Sequence, residues 1–468
     1  MQTRDVDVAV IGAGSAGLVA YRSARKWTKN VVLIEGGPYG TTCARVGCMP
    51  SKLLIAAAEA AHAAREASEF GVNVDSVTVD GRAVMNRVRR ERDRFVGFVV
   101  EGTENIPEEN RLRGYARFLD DHRLQVDDHT IVTARRIVIA TGSSPSYPKA
   151  WDALGNRLLV NDDIFGWDDL PRSVAVFGPG VIGLELGQAL HRLGVDVKMF
   201  GLGGLVGPLT DPAVVESARA VFSKEFYLDA DVDVRNMERV EGGVRIEYVD
   251  HDGHLQTSVV DYVVAATGRR PNVAGLGLEN TRLPLDDRGI PVFDDQTLQV
   301  GRSHVFIAGD VNNDRPLLHE AADEGRIAGG NAGRFFRVEP GKRTAPLAVV
   351  FSDPQIAMVG HTYRALEGQD IVVGEVSFEN QGRSRVMLKN QGLLRVYADA
   401  ETGCFLGAEM IGPRAEHLAH LLAWSYQSGH SIQRMLEMPF YHPVIEEGLR
   451  TALRDANAKL QDRLRRAA

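Results

Sequence analysis

The chain has 468 residues, of which 44% are hydrophobic and 25% are charged, a balance typical of a globular enzyme with several domains. Its formal net charge of −8 argues against nucleic acid as the main partner, and no apolar run reaches the ~18 residues that a membrane span needs. Three cysteines in so long a chain argue against a secreted disulfide framework. The first predicted strand begins near residue 6 and leaves no room for a signal peptide, so we expect a cytoplasmic protein without membrane contact.

The first predicted elements form a strand–loop–helix–strand unit that is typical of dinucleotide-binding domains. A buried parallel strand over residues 8–11 leads into Gly12, Gly14 and Gly17 at the GxGxxG spacing, and a helix follows to about residue 27. Gly12 permits a tight turn, Gly14 lets the backbone approach a pyrophosphate, and Gly17 allows close helix–strand packing. A second strand ends in Glu35, 23 residues after Gly12, and we expect Glu35 to accept hydrogen bonds from a ribose.

Two cysteines, Cys43 and Cys48, follow this unit and precede a long Ala-rich helix. In a regular helix, residues five apart have Cα atoms roughly 8–9 Å apart, whereas a disulfide needs about 7 Å or less. We therefore predict that Cys43 lies in a loop and Cys48 at the helix entrance, with Gly47 relaxing the backbone between them. A cysteine pair beside a dinucleotide site predicts a redox-active disulfide that exchanges electrons with a flavin. The third cysteine, Cys404, is predicted to be a buried strand residue.

The binding unit occurs a second time. A strand over residues 174–177 leads into Gly178, Gly180 and Gly183, and a helix follows to about residue 193. Two dinucleotide sites in one chain indicate a flavin and a nicotinamide coenzyme. Counting 23 residues from Gly178 reaches Gly201, where an acid is expected, and no arginine stands in the next few positions. The pattern favours NAD and leaves NADP open.

The remaining chain carries four further signals. Strands ending in Ala-Thr-Gly at residues 140–142 and 266–268 indicate the chain leaving a nucleotide domain, and a later strand delivers Asp310 at its carboxyl end, where ligands of such sheets bind. From about residue 345, short alternating strands and then helices predict a separate α+β domain. There His442 precedes a proline, and a carboxylate just inside the following helix could orient its imidazole as a base. Spacing alone leaves that carboxylate open between Glu446 and Glu447.

Together these motifs resemble the flavoprotein disulfide reductases and, among them, the dihydrolipoamide dehydrogenases. The resemblance covers nearly the whole chain. It rests on the first glycine loop with Glu35, the Cys-x4-Cys-x-Pro-Ser-Lys run, the second glycine loop ending in Gly183-Leu184-Glu185, the Ala-Thr-Gly-Arg-Arg-Pro-Asn run at residues 266–272, Gly309-Asp310, and His442-Pro443 with Glu447.

The resemblance implies an α/β fold with two Rossmann-like domains, for FAD and NAD, and a C-terminal α+β dimerisation domain. The implied boundaries are 1–149 for the FAD-binding domain, 150–271 for the NAD-binding domain, 272–345 for the return to the FAD or central domain, and 346–468 for the interface domain. An interface domain of this kind closes a homodimer whose active sites are shared between subunits.

The resemblance also implies residue roles. Cys43 is the sulfur that substrate attacks, and Cys48 is the sulfur against the flavin. Lys52 reaches the flavin and pairs with Glu185, while His442 and Glu447 serve the cysteine pair of the partner subunit. The positions implied to bind FAD or NAD are Gly12, Gly14, Gly17, Glu35, Thr42, Lys52, Ala116, Thr141, Gly142, Ser143, Gly178, Gly180, Gly183, Gly201, Gly268, Arg269, Asp310 and His319. No metal site is expected.

The implied reaction is the oxidation of dihydrolipoamide with NAD. The substrate is either free or carried on a lipoyl domain of a 2-oxoacid dehydrogenase-type complex. The alternative is an NAD(P)H-dependent reductase of a low-molecular-weight disulfide such as glutathione disulfide.

Overall fold

A computed structural model of the chain describes residues 1–467. Within that range, the helices α1 to α12 are Ser15–Ala24, Thr42–Val46, Cys48–Glu66, Gly81–Glu104, Asn161–Ile164, Val181–Arg192, Pro212–Phe222, Leu318–Gly333, Gly382–Val386, Ala415–Gln427, Ile432–Leu436 and Glu446–Ala467. The strands β1 to β22 of the same range are Gln2–Ile11, Val31–Glu35, Arg111–Arg113, Ala116–Phe118, Arg123–Val126, Thr130–Ile139, Ser143–Pro145, Leu158–Val160, Ser173–Phe177, Asp196–Phe200, Tyr227–Asp229, Asp233–Val240, Gly243–Val249, Leu255–Val260, Tyr262–Ala265, Arg269–Pro271, Val305–Ile307, Leu347–Val350, Gln355–Gly360, Ile371–Ser377, Leu393–Asp399 and Phe405–Gly412.

The chain forms two compact units, and each is built from three separate segments. The first unit consists of Met1–Leu53, Asn86–Ser146 and Gly268–Thr344. The second unit consists of Leu54–Met85, Tyr147–Thr267 and the segment that begins at Ala345. The mixed α/β class expected from the sequence is confirmed, while the four domain boundaries given above remain predictions.

The first unit is organised around a seven-stranded sheet in the order β3-β2-β1-β6-β5-β4, with β17 paired in parallel to β6. Strands β1, β2 and β6 are parallel to one another, and their residues 8–11, 31–34 and 137–139 are buried on both faces, which explains the apolar runs there. Helices α1 and α8 pack closely, because Gly325 and Gly329 face the backbone of α1. A Cβ atom at these glycines would lie 2.3 Å and 2.2 Å from the carbonyl oxygens of Ala16 and Ala20.

The second unit contains three sheets. The parallel sheet β11-β10-β9-β15-β8 is the second nucleotide-binding sheet. Strands β12-β13-β14, which come between β11 and β15 in the chain, form an antiparallel meander. The third sheet, β18-β19-β22-β21-β20, is antiparallel and packs against α10 and α12. Leucines four residues apart on each helix, Leu418 and Leu422 on α10 and Leu449 and Leu453 on α12, lie in its core.

Two expectations about single features can be compared with the structure. The prediction that Cys404 is a buried strand residue is wrong: it is half-buried and makes an isolated bridge with Ser431 just before β22. The reason is a turn, in which the hydroxyl of Thr402 accepts the N–H of Cys404 and holds that residue outside the strand ladder. Among the helices of residues 1–467, none combines the length and the apolar character that crossing a membrane requires.

Candidate active site

The two cysteines lie on successive helices that Gly47 separates. Cys43 is in α2, and the prediction that it lies in a loop is therefore wrong; Thr41 makes this short helix possible because its hydroxyl accepts the N–H of Ala44 at 3.3 Å. At Gly47 the backbone turns to φ −126° and ψ −118°, which ends α2. Cys48 then begins α3, as predicted, so the pair avoids the long separation that one continuous helix would impose.

The side chains of the two cysteines are in contact. A hydrogen bond between the Cys43 thiol and Cys48 is the largest cause that raises the pKa of Cys43, and burial of Cys43 adds to it. Lys52, one turn further along α3, acts in the opposite direction and lowers this pKa. Cys43 is half-buried and Cys48 is exposed at the start of α3. The arrangement is that of a dithiol whose sulfurs are placed for disulfide formation.

The first glycine loop has the shape that a bound dinucleotide requires. Gly12 has φ +105°, and a Cβ atom there would lie 2.2 Å from the carbonyl oxygen of Ala140, so no other residue fits this turn. A Cβ atom at Gly17 would lie 1.8 Å from the carbonyl oxygen of Gly12. At Gly14, by contrast, a Cβ atom would meet no atom within 4 Å, so there is open space beside the first turn of α1. The N–H groups of this first turn have no side-chain cap and fit the pyrophosphate of FAD.

Glu35 stands at the end of β2 beside this loop. Its carboxylate accepts the N–H of Ala13 through Oε2 and the N–H of Gly37 through Oε1, each at 2.7 Å. These two bonds hold the acid at the mouth of the glycine loop, where a carboxylate accepts hydrogen bonds from an adenosine ribose. The residues of the first unit therefore fit FAD.

A second group of predicted residues meets at the ends of β6 and β17. Ser143 donates through its hydroxyl to Asp310 Oδ2 at 2.8 Å. Arg269 donates to the same serine twice, from Nε to the hydroxyl at 2.8 Å and from Nη2 to the carbonyl oxygen at 2.7 Å. Thr141 donates to the carbonyl oxygen of Asn272 at 2.8 Å, which ties the two Ala-Thr-Gly exits together.

Glu324 is a residue that sequence reasoning missed. It is fully buried on α8, and its Oε2 accepts the N–H of Gly309 at 2.7 Å and an amide hydrogen of Asn312 at 2.8 Å. Burial raises the pKa of Glu324 to about 7, although these bonds and the nearby Arg343 act against the shift. The carboxylate thus supports the turn that carries Asp310. An acid between an aspartate and a glycine in a helix gives no distinctive sequence signal.

The other predicted FAD positions are distributed along the first unit. Thr42 is the exposed first residue of α2, and His319 is exposed in the first turn of α8. Ala116 is buried in β4. Gly142 has φ +70° and open space around a Cβ position, and the Lys52 ammonium lies 3.4 Å from the hydroxyl of Ser51. Their contacts with a cofactor remain predictions.

The second glycine loop repeats the geometry of the first. Gly178 has φ +102°, and Cβ atoms at Gly178 and Gly183 would lie 2.4 Å and 1.9 Å from the carbonyl oxygens of Ala266 and Gly178. Gly180 faces open space beside the first turn of α6, and Gly268, with φ +120°, is equally open. This loop therefore fits a second pyrophosphate, that of NAD. Gly201 follows β10 directly, and its N–H donates to the carbonyl oxygen of Asp229 at 2.6 Å.

Glu185 lies on α6, one turn into the helix. It is buried, with 4% of its surface exposed, and its Oε1 accepts the N–H of Phe351 at 3.0 Å. The ion pair predicted between Glu185 and Lys52 remains a prediction.

His442 and Glu447 form a pair at the start of α12. His442 Nδ1 lies 3.0 Å from Glu447 Oε2, and Arg450 donates to the other oxygen of this carboxylate at 2.9 Å. The choice between Glu446 and Glu447, which spacing left open, is decided in favour of Glu447. The imidazole is 81% exposed, whereas the carboxylate that orients it is only 20% exposed. A fixed carboxylate on Nδ1 leaves Nε2 as the nitrogen that accepts a proton.

Comparison with known proteins agrees with this geometry. Residues 6–325 match the family model described as pyridine nucleotide-disulphide oxidoreductase, and residues 347–453 match the model of its dimerisation domain. The chain is 31% identical over 467 residues to dihydrolipoyl dehydrogenase 2 of Haloarcula marismortui, covering 96% of each chain. It is 29% identical over 453 residues to dihydrolipoyl dehydrogenase of Geobacillus stearothermophilus, covering 95% of this chain and 94% of the relative.

Among solved structures, the chain is similar in fold to the Cu(II) complex of RclA, an HOCl-induced flavoprotein disulfide reductase from Escherichia coli. The TM-score is 0.80 at 22% identity, and the likeness covers 97% of this chain and 99% of the other. Because the first family model spans more than half of the chain and a relative above 30% identity spans nearly all of it, the chain belongs to the pyridine nucleotide-disulphide oxidoreductase family, whose enzymes use FAD and NAD.

Proposed function

We propose that the chain is a dihydrolipoamide dehydrogenase, which oxidises dihydrolipoamide to lipoamide and passes two electrons through the Cys43–Cys48 pair and FAD to NAD. The observation that carries the proposal is the contact between the two cysteine side chains at the entrance of α3. Full-length similarity to dihydrolipoyl dehydrogenases of two organisms supports the same substrate.

In the proposed reaction, the oxidised pair receives electrons from the substrate. A thiolate of dihydrolipoamide attacks the Cys43 sulfur, the Cys43–Cys48 bond breaks, and Cys48 leaves as a thiolate. The second substrate thiolate attacks the substrate sulfur of the mixed disulfide, so lipoamide departs and the Cys43 sulfur is released. The substrate has then lost two electrons and two protons, and the cysteine pair is reduced. Bound FAD supplies the two-electron route from the dithiol to NAD.

The proton of the attacking substrate thiol goes to His442. Nε2 is the nitrogen available for it, since the Glu447 carboxylate faces Nδ1. The imidazolium that forms is stabilised by that carboxylate, which Arg450 holds in place. We propose a homodimer in which this base serves the cysteine pair of the partner subunit, a proposal supported by the match to the family's dimerisation domain.

The setting of the enzyme is part of the proposal. A chain of this length with three cysteines, two of them a cycling pair, fits a reducing compartment, and we propose the cytoplasm. We also propose that the lipoyl group is presented by a lipoyl domain of a 2-oxoacid dehydrogenase-type complex.

The test is steady-state oxidation of dihydrolipoamide by purified, FAD-loaded protein, with NAD⁺ and NADP⁺ in parallel. Rapid turnover linked to NAD⁺ is the expected result. The counter-assay is NAD(P)H-dependent reduction of glutathione disulfide. Turnover in the counter-assay without oxidation of dihydrolipoamide would overturn the proposal in favour of a low-molecular-weight disulfide reductase.

A further inference from the structure

The two glycine loops of this chain can be compared position by position. Gly12 and Gly178 both donate their N–H at 2.8 Å to a backbone carbonyl near the end of the neighbouring strand, that of Ile34 in β2 and that of Phe200 in β10. The close approaches at the other glycines of the two loops also agree within a few tenths of an ångström. Glu35, which follows Ile34, therefore corresponds to Gly201, which follows Phe200.

The second loop cannot hold an acid at that position. A Cβ atom at Gly201 would lie 2.6 Å from the carbonyl oxygen of Ala230 and 2.8 Å from the ring of Pro179. Pro179 corresponds to Ala13, whose N–H holds Glu35 in the first loop, and a proline has no N–H to donate. The second site therefore lacks both the space for an acid at position 201 and the backbone N–H that would hold its carboxylate.

A carboxylate that follows the neighbouring strand reaches the turn after β10 instead. In the first site the N–H of Gly37, two residues after Glu35, donates to Glu35 Oε1 at 2.7 Å. In the second site the corresponding N–H, that of Gly203, donates to Asp231 Oδ1, also at 2.7 Å. Asp231 follows β11, so a carboxylate from the adjacent strand makes the contact that the strand-end acid makes in the first site.

The surroundings of Asp231 are acidic and open. Asp231 is exposed, and its N–H donates to Asp229 Oδ1 at 3.0 Å, which fixes the turn after β11. It lines a cavity of about 610 Å³ together with Asp229, Asp233 and Asp250, and Arg219 is the arginine on this wall. A phosphate entering this region meets predominantly negative charge, which repels it.

We propose that Asp231 is the carboxylate that reads the adenosine ribose of NAD in this chain, and that it disfavours the 2′-phosphate of NADP. The proposal rests on the use of NAD by the family and is independent of the disulfide substrate. Glu35 is expected to bind a ribose for the same physical reason. A carboxylate held by a backbone N–H just past the nucleotide-binding strand accepts a ribose hydroxyl.

The test replaces Asp231 in the FAD-loaded enzyme and measures coenzyme binding without turnover. Asp231→Asn keeps an oxygen that can accept the Gly203 N–H and removes only the charge. The dissociation constants of NAD⁺ and NADP⁺ are measured by calorimetry with the oxidised protein. We expect the preference for NAD⁺ over NADP⁺ to fall by roughly tenfold or more in Asp231→Asn, with most of the change in the affinity for NADP⁺.

Asp196→Asn is the control, because Asp196 is an exposed aspartate at the opposite end of β10 and does not line this cavity. Its coenzyme preference should stay that of the wild type. An unchanged preference in Asp231→Asn would overturn the proposal, as would an equal change in the control. Equal weakening of both coenzymes in Asp231→Asn and Asp231→Ala would also overturn it, since that result assigns Asp231 to loop structure. Lipoamide oxidation plays no part in this measurement, so failure here is distinct from failure of the proposed function.

Discussion

His442 Nδ1 lies 3.0 Å from Glu447 Oε2, and the guanidinium of Arg450 holds the opposite oxygen of that carboxylate at 2.9 Å. Arg450 therefore fixes the carboxylate from within α12, independently of the imidazole. In the proposed reaction Glu447 is therefore a positioning residue for the base, and the exposed side of the imidazole faces the substrate.

The first prediction concerns this pair. Glu447→Gln keeps the size of the side chain but removes the charge that stabilises the imidazolium, so kcat for dihydrolipoamide oxidation should fall by about 10²-fold. Glu446→Gln, one position earlier in the same helix turn, is the control and should leave kcat unchanged. Equal effects of the two variants would contradict the assignment.

The second prediction concerns the cysteine pair. Cys48→Ser should abolish oxidation of dihydrolipoamide, because a serine hydroxyl cannot form the disulfide with Cys43. Cys404→Ser is the control, since Cys404 is half-buried in a turn before β22, and it should retain wild-type turnover. Full activity of Cys48→Ser in the steady-state assay would show that the redox-disulfide mechanism is wrong.

The third prediction concerns Gly201, the residue that follows β10. Gly201→Glu introduces the acid that the first loop carries, but its Cβ atom would overlap the backbone of Ala230. We therefore expect NAD⁺ affinity to decrease by about tenfold or more, with FAD absorbance retained, rather than to improve. Leu202→Glu places the same charge on the next residue, which is 85% exposed, and should leave the loop intact. Tighter NAD⁺ binding by Gly201→Glu in calorimetry would contradict the steric argument.

The fourth prediction concerns the buried carboxyl of Glu324. Burial raises its pKa from the ordinary value of 4.5 to about 7, so the folded protein binds this proton more tightly than the unfolded chain does. The free energy of unfolding should therefore fall as the pH rises from about 4.5 to about 7, by up to about 3 kcal/mol from this group, and the loss is complete above that range.

Glu324→Gln removes this titration while keeping an oxygen for the N–H of Gly309. Thermal unfolding of the FAD-loaded protein, followed between about pH 4.5 and pH 8, should show a smaller decrease in Tm with pH for the variant than for the wild type. Parallel curves for the two proteins would show that Glu324 does not titrate in this range.

Much of the nucleotide-binding architecture could be predicted from local sequence. The spacing of Gly12, Gly14 and Gly17 and the acid at Glu35 predict a loop whose geometry the structure has, because Gly12 and Gly17 lie against neighbouring backbone and Gly14 leaves open space beside the helix. The helix break at Gly47 was predictable for the same reason. The helical conformation of Cys43 was not, since a five-residue helix depends on one side-chain cap from Thr41.

Contacts between distant segments required the tertiary structure. Arg269 and Ser143 are joined by two hydrogen bonds although 126 residues separate them, and no periodicity links the two positions. Glu324 reaches Gly309 only because α8 packs beside the strand that precedes the glycine. Asp231 reaches the loop at Gly203 through the pairing of β10 with β11.

The sequence by itself determined the two glycine loops, the cysteine pair, the histidine before α12 and hence the family, because these depend on residue type at short spacing. Only the tertiary structure decided which acid lies against His442, which carboxylate supports the Asp310 turn, and which aspartate meets the turn after β10. Those choices depend on where side chains from separate strands and helices meet, and a hydrogen bond of 3 Å is decided by packing that local sequence does not encode.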